Sequence, residues 1–357
     1  MRRRAPHCGF SERSDVMRLG ILTSGGDCPG LNAVIRGAVL QGTREHSDEF
    51  VGFKDGWRGV IERDYVELDW RAVRGLNRLG GTVLGTSRTN PFVSGLDDRT
   101  VYTALKESGI DALIAIGGEG TLSVAAKLQS GGVDVIGVPK TIDNDLSATD
   151  YSFGFDTAVE VATEAIDRIQ TSGEAHRRCM VVEVMGRNAG WIALHAGIAS
   201  SAHAILIPEV KSSISQICHW VESTRERGRT PLIVVAEGFA LDVMDAPHHR
   251  HGLDTFGRPR LGGIGDILAP LIESETGIES RCTTLGYIQR GAVPTAFDRV
   301  LATRMGMAAV RAVHESRCGT MVAARGTELV SVPLKDAVSE LKTVPVNRWF
   351  EAATLFG

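Results

Sequence analysis

From Met17 onward, short apolar and β-branched runs that end in glycine-rich turns alternate with stretches of helix-forming residues. This alternation constrains the fold more than any other feature, because runs apolar on both faces need cover on both faces. Parallel strands joined by crossover helices supply that cover, so the expected class is α/β with Rossmann-like three-layer lobes and mostly parallel sheets. Strands are predicted at residues 19–23, 112–116, 133–138, 180–184, 204–207 and 232–236. Helices are predicted at 31–42, 122–128, 156–170, 214–227 and 296–313, and surface excursions at 62–74 and 241–263.

A length of 357 residues exceeds that of a usual single domain and points to two lobes with a cleft between them. The formal charge of −4 argues against a dominant nucleic-acid surface. The six cysteines are scattered, with no CxxC pair, which fits a reducing compartment and a cytoplasmic protein. Residues 1–16 carry arginines without an apolar core and read as a disordered extension or as an upstream start misassigned ahead of Met17; no later stretch approaches the length of a membrane span. His248, His249 and His251 have no carboxylate or cysteine at ligand spacing and read as part of a solvated basic loop.

Ligands of doubly wound sheets bind where strands end, and the turns there are informative. After the first strand comes Ser24-Gly25-Gly26-Asp27-Cys28-Pro29-Gly30, readable as a phosphate cradle or as a tight strand-to-helix turn. After the second comes Gly117-Gly118-Glu119-Gly120-Thr121, whose acid either reaches a magnesium ion on a polyphosphate or caps the following helix. The third turn, Pro139 to Asp145, places Asp143 and Asp145 two residues apart beside Lys140 and Thr141. One carboxylate can take a proton from an attacking hydroxyl while the other holds metal or orients its neighbour; the bland alternative is a solvated Asx-rich turn. The fourth strand delivers Arg187, a fixed cation suited to charge building on a phosphoryl group. Arg88, Arg178, Arg281 and Arg290 can grip phosphate oxygens or, singly, be ordinary surface residues.

The segments TSGGDCPGLNAVIRG, GGTVLGTSR, IGGEGT, PKTIDND, VVEVMGRNAGW and LGYIQRG, in this order, resemble the 6-phosphofructokinase family from Met17 to the C-terminus. They are most similar to its actinobacterial, lysine-bearing branch, which has ATP-using and pyrophosphate-using members. The resemblance implies transfer of a phosphoryl group from ATP, with Mg2+, to the 1-hydroxyl of fructose 6-phosphate in glycolysis. It implies a nucleotide lobe at 17–154 with 289–340, and a sugar-phosphate lobe at 155–288 with 341–357. Asp143 would be the base, assisted by Thr141, Asp145 and Arg187, and Glu119 would hold the metal. Gly26, Arg88, Gly118, Gly120 and Thr121 would line the nucleotide phosphates. Met185, Gly186, Arg187, Glu237, Tyr287 and Arg290 would face the sugar phosphate, with Arg178 and Arg281 supplied across a subunit boundary of a homotetramer.

Three positions depart from the family's common pattern: Glu119 replaces Asp, Tyr287 replaces His, and Leu40 replaces an effector-site arginine, although Arg36 matches another. The first lengthens the reach to the metal by one methylene, the second removes a potential positive charge near the 6-phosphate, and the third puts the usual allosteric control in doubt. Gly120 and Lys140 bear on the donor in opposite senses. Pyrophosphate users resemble one another in carrying Asp where Gly120 stands, which obstructs a nucleotide α-phosphate, whereas Lys140 occurs in both kinds. ATP is therefore the expected donor and pyrophosphate the alternative. A catalytically silent sensor of the same fold has no need of the Asp143 and Asp145 pair, and a diacylglycerol- or NAD-kinase-like enzyme is disfavoured by the MGR and GYIQR segments.

Overall fold

The structure is a computed structural model that describes residues 16–92, 98–244, 246–253 and 259–357. The expected extension, save Val16, and the side chains of His249 and His251 lie outside the described residues. The strands are β1 (Arg18–Thr23), β2 (Glu49–Phe53), β3 (Tyr65–Glu67), β4 (Ala112–Gly117), β5 (Val135–Pro139), β6 (Cys179–Val184), β7 (Ala204–Leu206), β8 (Leu232–Ala236), β9 (His249–Leu253), β10 (Pro259–Leu261), β11 (Ser280–Thr284), β12 (Thr320–Arg325) and β13 (Glu328–Pro333). The helices are α1 (Leu31–Glu45), α2 (Trp57–Glu62), α3 (Asp98–Glu107), α4 (Glu119–Ser130), α5 (Phe155–His176), α6 (Trp191–Ala199), α7 (Ile214–Glu226), α8 (Ile264–Thr276), α9 (Ala296–His314), α10 (Leu334–Ala337) and α11 (Val346–Ala353).

Two sheets organise these elements, as expected of an α/β chain with two lobes. The larger has the order β13-β12-β5-β4-β1-β2-β3, and only its outermost strands, β3 and β13, pair antiparallel. The smaller, β11-β6-β8-β7, is parallel throughout. The strands legible as apolar runs are the central ones: β4, β5, β6 and β8 are buried along their whole length. Of those not foreseen, β2 and β12 are buried save at their ends, whereas β11, SRCTT, is polar and partly exposed through its middle and end.

Each predicted excursion contains structure. Residues 62–74 include the edge strand β3, and 241–263 include the β9/β10 hairpin. Both pair antiparallel and short, so neither shows a long apolar run. Helix α4 begins at Glu119, three residues before its predicted start, which puts Glu119 in the first helical turn and not at the tip of a loop.

Helices α1 and α9 cross at backbone contact. A β-carbon at Gly37 would lie 2.4 Å from the Thr303 carbonyl oxygen, and one at Gly306 would lie 2.2 Å from that of Val34. Backbone cannot step aside as a rotamer can, so Gly306→Ala is expected to destabilise the protein by ~3 kcal/mol, measured as the loss of unfolding free energy in urea.

Candidate active site

The carboxyl ends of β1, β4 and β5 bring three of the turns together. Gly25 N–H donates to the Ser87 carbonyl at 3.0 Å, and Ser24 N–H donates to the Ile116 carbonyl at 3.0 Å. Thr86 Oγ1 returns a hydrogen bond to the Gly25 carbonyl at 2.7 Å. Gly25 has φ +89°, a conformation that side chains rarely adopt, so this turn requires glycine. Lys140, at the end of β5, crosses to the first turn and donates from Nζ to the Gly26 carbonyl at 2.7 Å. It is only 5 % exposed, and burial lowers its pKa against the pull of Asp143 and Asp145.

Asp143 stands at the centre. Its backbone N–H donates to Thr141 Oγ1 at 3.1 Å, and Asn144 beyond it has φ +51°, which turns the chain back. Asn144 Oδ1 accepts from Ser152 N–H at 3.1 Å, and Ser152 Oγ donates to the Thr141 carbonyl at 2.7 Å, which closes the loop. Asp143 itself is half-buried; its Oδ1 is sealed from solvent and makes no hydrogen bond. A buried carboxylate without a partner resists ionisation. Burial first, then the Asp145 charge and more weakly that of Glu237, raise its pKa to about 7, while Arg290 and Lys140 oppose them.

Arg290 joins the two lobes at this point. It follows the 3-10 turn Gly286–Gln289 beyond β11, and its Nη1 donates to the Asp27 carbonyl at 3.1 Å. A β-carbon at Gly26 would lie 2.9 Å from that same Nη1, so glycine makes room for the guanidinium. On the second lobe, Gly238 N–H donates to the Gly186 carbonyl at 3.1 Å and Met185 N–H donates to Gln289 Oε1 at 3.3 Å. These bonds draw the ends of β6, β8 and β11 together. Glu237 is raised in pKa by burial and lowered by Arg187, which places both in one field. A cavity of about 470 Å3 is lined by Glu119, Arg187, Asn188 and residues 338–341.

Among the described residues no group of three or more histidine, cysteine or acidic side chains is arranged as a metal cage. The donor set nevertheless suits magnesium, which takes one or two carboxylates and completes its shell with water and substrate phosphate. Glu119 lines the cavity and can supply such a carboxylate.

Not every predicted residue converges here. Arg178 and Arg281 lie at the amino ends of β6 and β11, remote from the turns. Arg178 Nε pairs with Glu279 at 2.9 Å; Arg281 pairs with Glu279 and, at 3.3 Å, with Glu273. Tyr287 is 78 % exposed, and Arg88 is also exposed. Residues the sequence did not mark include Gln289, fully buried, and Glu183, which accepts N–H bonds from Gly263 and Gly265 and so holds the start of α8. A lone acid within the apolar run of β6 was the available signal for Glu183.

A family model described as Phosphofructokinase matches residues 18–313. The chain is 54 % identical over 342 residues to a Streptomyces coelicolor protein named pyrophosphate–fructose 6-phosphate 1-phosphotransferase, covering 96 % of this chain and 100 % of that one. It is 49 % identical over 339 residues to another Streptomyces coelicolor protein, named ATP-dependent 6-phosphofructokinase 3, covering 94 % of this chain and 99 % of that one. The crystal structure of Pichia pastoris phosphofructokinase in the T-state superposes with a TM-score of 0.80 at 30 % identity, over 98 % of this chain and 38 % of the yeast chain.

Proposed function

Because the chain belongs to the phosphofructokinase family, we propose that it transfers the γ-phosphoryl group of ATP to the 1-hydroxyl of fructose 6-phosphate. The observation that carries the reading is the Asp143 carboxylate, unpartnered at Oδ1 at the end of β5, in the field of Lys140 and Arg290. A carboxylate held near neutrality can accept the proton of the attacking hydroxyl. Thr141 and Asp145 flank it, and Lys140, Arg187 and Arg290 offset charge that builds on the transferred group. Magnesium, held through Glu119, would neutralise phosphate oxygens of the donor. Gly26, Gly118, Thr121 and Arg88 are assigned to the donor phosphates, and Met185, Gly186, Glu237 and Tyr287 to the sugar phosphate.

The donor assignment rests on Gly120. A β-carbon there would meet nothing within 4 Å, so the glycine leaves open space at the start of α4 for a nucleotide. Pyrophosphate is the second reading, favoured by the buried Lys140 and by the name of the 54 % identical relative. The test is the initial rate of fructose 1,6-bisphosphate formation with magnesium and either ATP or pyrophosphate as sole donor. Activity with pyrophosphate alone would replace the donor; activity with neither would refute the function.

Since the base acts when ionised and its pKa is raised to about 7, kcat/KM is expected to climb as pH rises from 6 to 8 and to level off above. A profile flat across that window would remove Asp143 from the role. Arg178 and Arg281, at the far ends of their strands, are assigned to the site of a neighbouring copy in a homotetramer, which sedimentation would test. No described helix is long and apolar enough to cross a membrane; we assign the protein to the cytoplasm.

A further inference from the structure

We propose that Lys342 is a positioning residue that straps the loop carrying Asp143 and Asp145 to the turn carrying Arg187. The inference rests on the function proposed above. Lys342 lies in the segment between α10 and α11. Its Nζ donates to Asn144 Oδ1 at 3.0 Å, to the Thr149 carbonyl at 2.9 Å and to the Asp150 carbonyl at 2.7 Å. An ammonium has three N–H donors, and here each has an acceptor in the same loop, between β5 and α5. Asn144 is the residue between the two carboxylates, and its Oδ1 is shared with Ser152 N–H.

The main chain of the same residue completes the strap. Lys342 N–H donates to the Asp145 carbonyl at 2.8 Å, and its own carbonyl accepts from Trp191 Nε1 at 2.8 Å. Trp191 opens α6, directly after the Arg187 turn, and its ring centroid is 5.8 Å from the ammonium. A second link runs alongside: Glu209 accepts Gly190 N–H at 3.0 Å and Val344 N–H at 2.7 Å. The base loop and the arginine turn are thus tied to one short segment, Lys342 to Val344. A bland tail would need only apolar contacts; a cation withdrawn from water is costly unless its partners are arranged for it.

The test compares wild type, Lys342→Met and Lys342→Arg at a temperature where all are folded. Loss of the ammonium is expected to lower kcat about 30-fold with KM for both substrates within about threefold, as when a reacting group is misplaced. Lys342→Arg recovers most of the loss. In an Asp143→Asn background, Lys342→Met costs less than about threefold, because the group it positions is gone. If Lys342→Met does not fold, Asn144→Gly, which suits the positive φ at that position, removes the same acceptor and is read in the same way. A folded variant with unchanged kcat, or an equal cost in the Asp143→Asn background, overturns the inference while wild-type activity upholds the function. An inactive wild type overturns both.

Discussion

Replacing Asp143 with asparagine is expected to lower kcat by about 10³-fold while KM for fructose 6-phosphate changes little, as for loss of a positioned base. The substitution keeps shape and removes only the ionisable oxygen, so the fold should survive it. Stability supplies an independent check. The folded-state pKa is raised above the ordinary carboxylate value to about 7, so the folded state holds the proton more tightly than the unfolded chain. The stability this contributes is present at low pH and is lost as pH rises between about 4 and 7. Asp143→Asn has no such loss, and its melting temperature should gain on that of the wild type across this window. Unchanged turnover would end the assignment of Asp143; a melting difference independent of pH would mean that its carboxyl is not held as the surrounding charges indicate.

Introducing Asp at Gly120 is expected to lower kcat/KM with ATP by about 10²-fold or more, because a like charge against a donor phosphate costs several kcal/mol. The structure makes this a clean experiment. A β-carbon at Gly120 meets no neighbour within 4 Å and the residue needs no positive φ, so the change introduces no clash at Cβ and no backbone strain. Pyrophosphate activity should be spared, since a donor lacking the nucleotide has no α-phosphate at that point. Equal activity with ATP before and after the change would show that the nucleotide does not pass Gly120. Lys140 would then be the better guide to the donor.

The parts of the site legible in the sequence are those where chemistry and chain position coincide. The Gly25-Gly26 turn, Glu119, Lys140, Asp143 and Arg187 each follow a buried strand directly, so a strand ending marks them without knowledge of the partner elements. Lys342 and Gln289 gave no such mark: one lies in an irregular C-terminal segment, the other within a 3-10 turn, and their partners are 198 and 104 residues away. Arg290 could be named as a phosphate ligand, but its hydrogen bond to the Asp27 carbonyl spans 263 residues. Arg178 and Arg281 resembled Arg187 as sequence features and came to rest at the opposite ends of their strands.

The alternation of apolar runs with helix-forming stretches determined the α/β class and the turns where ligands bind, because burial on two faces and glycine geometry are local requirements written into adjacent residues. Strand order, the meeting of Lys140 with Gly26, the sealed Oδ1 of Asp143 and the C-terminal strap were decided only by the tertiary structure. Each of these depends on which distant segments exclude water together, and a buried charge acquires its pKa from neighbours that the chain order does not place beside it.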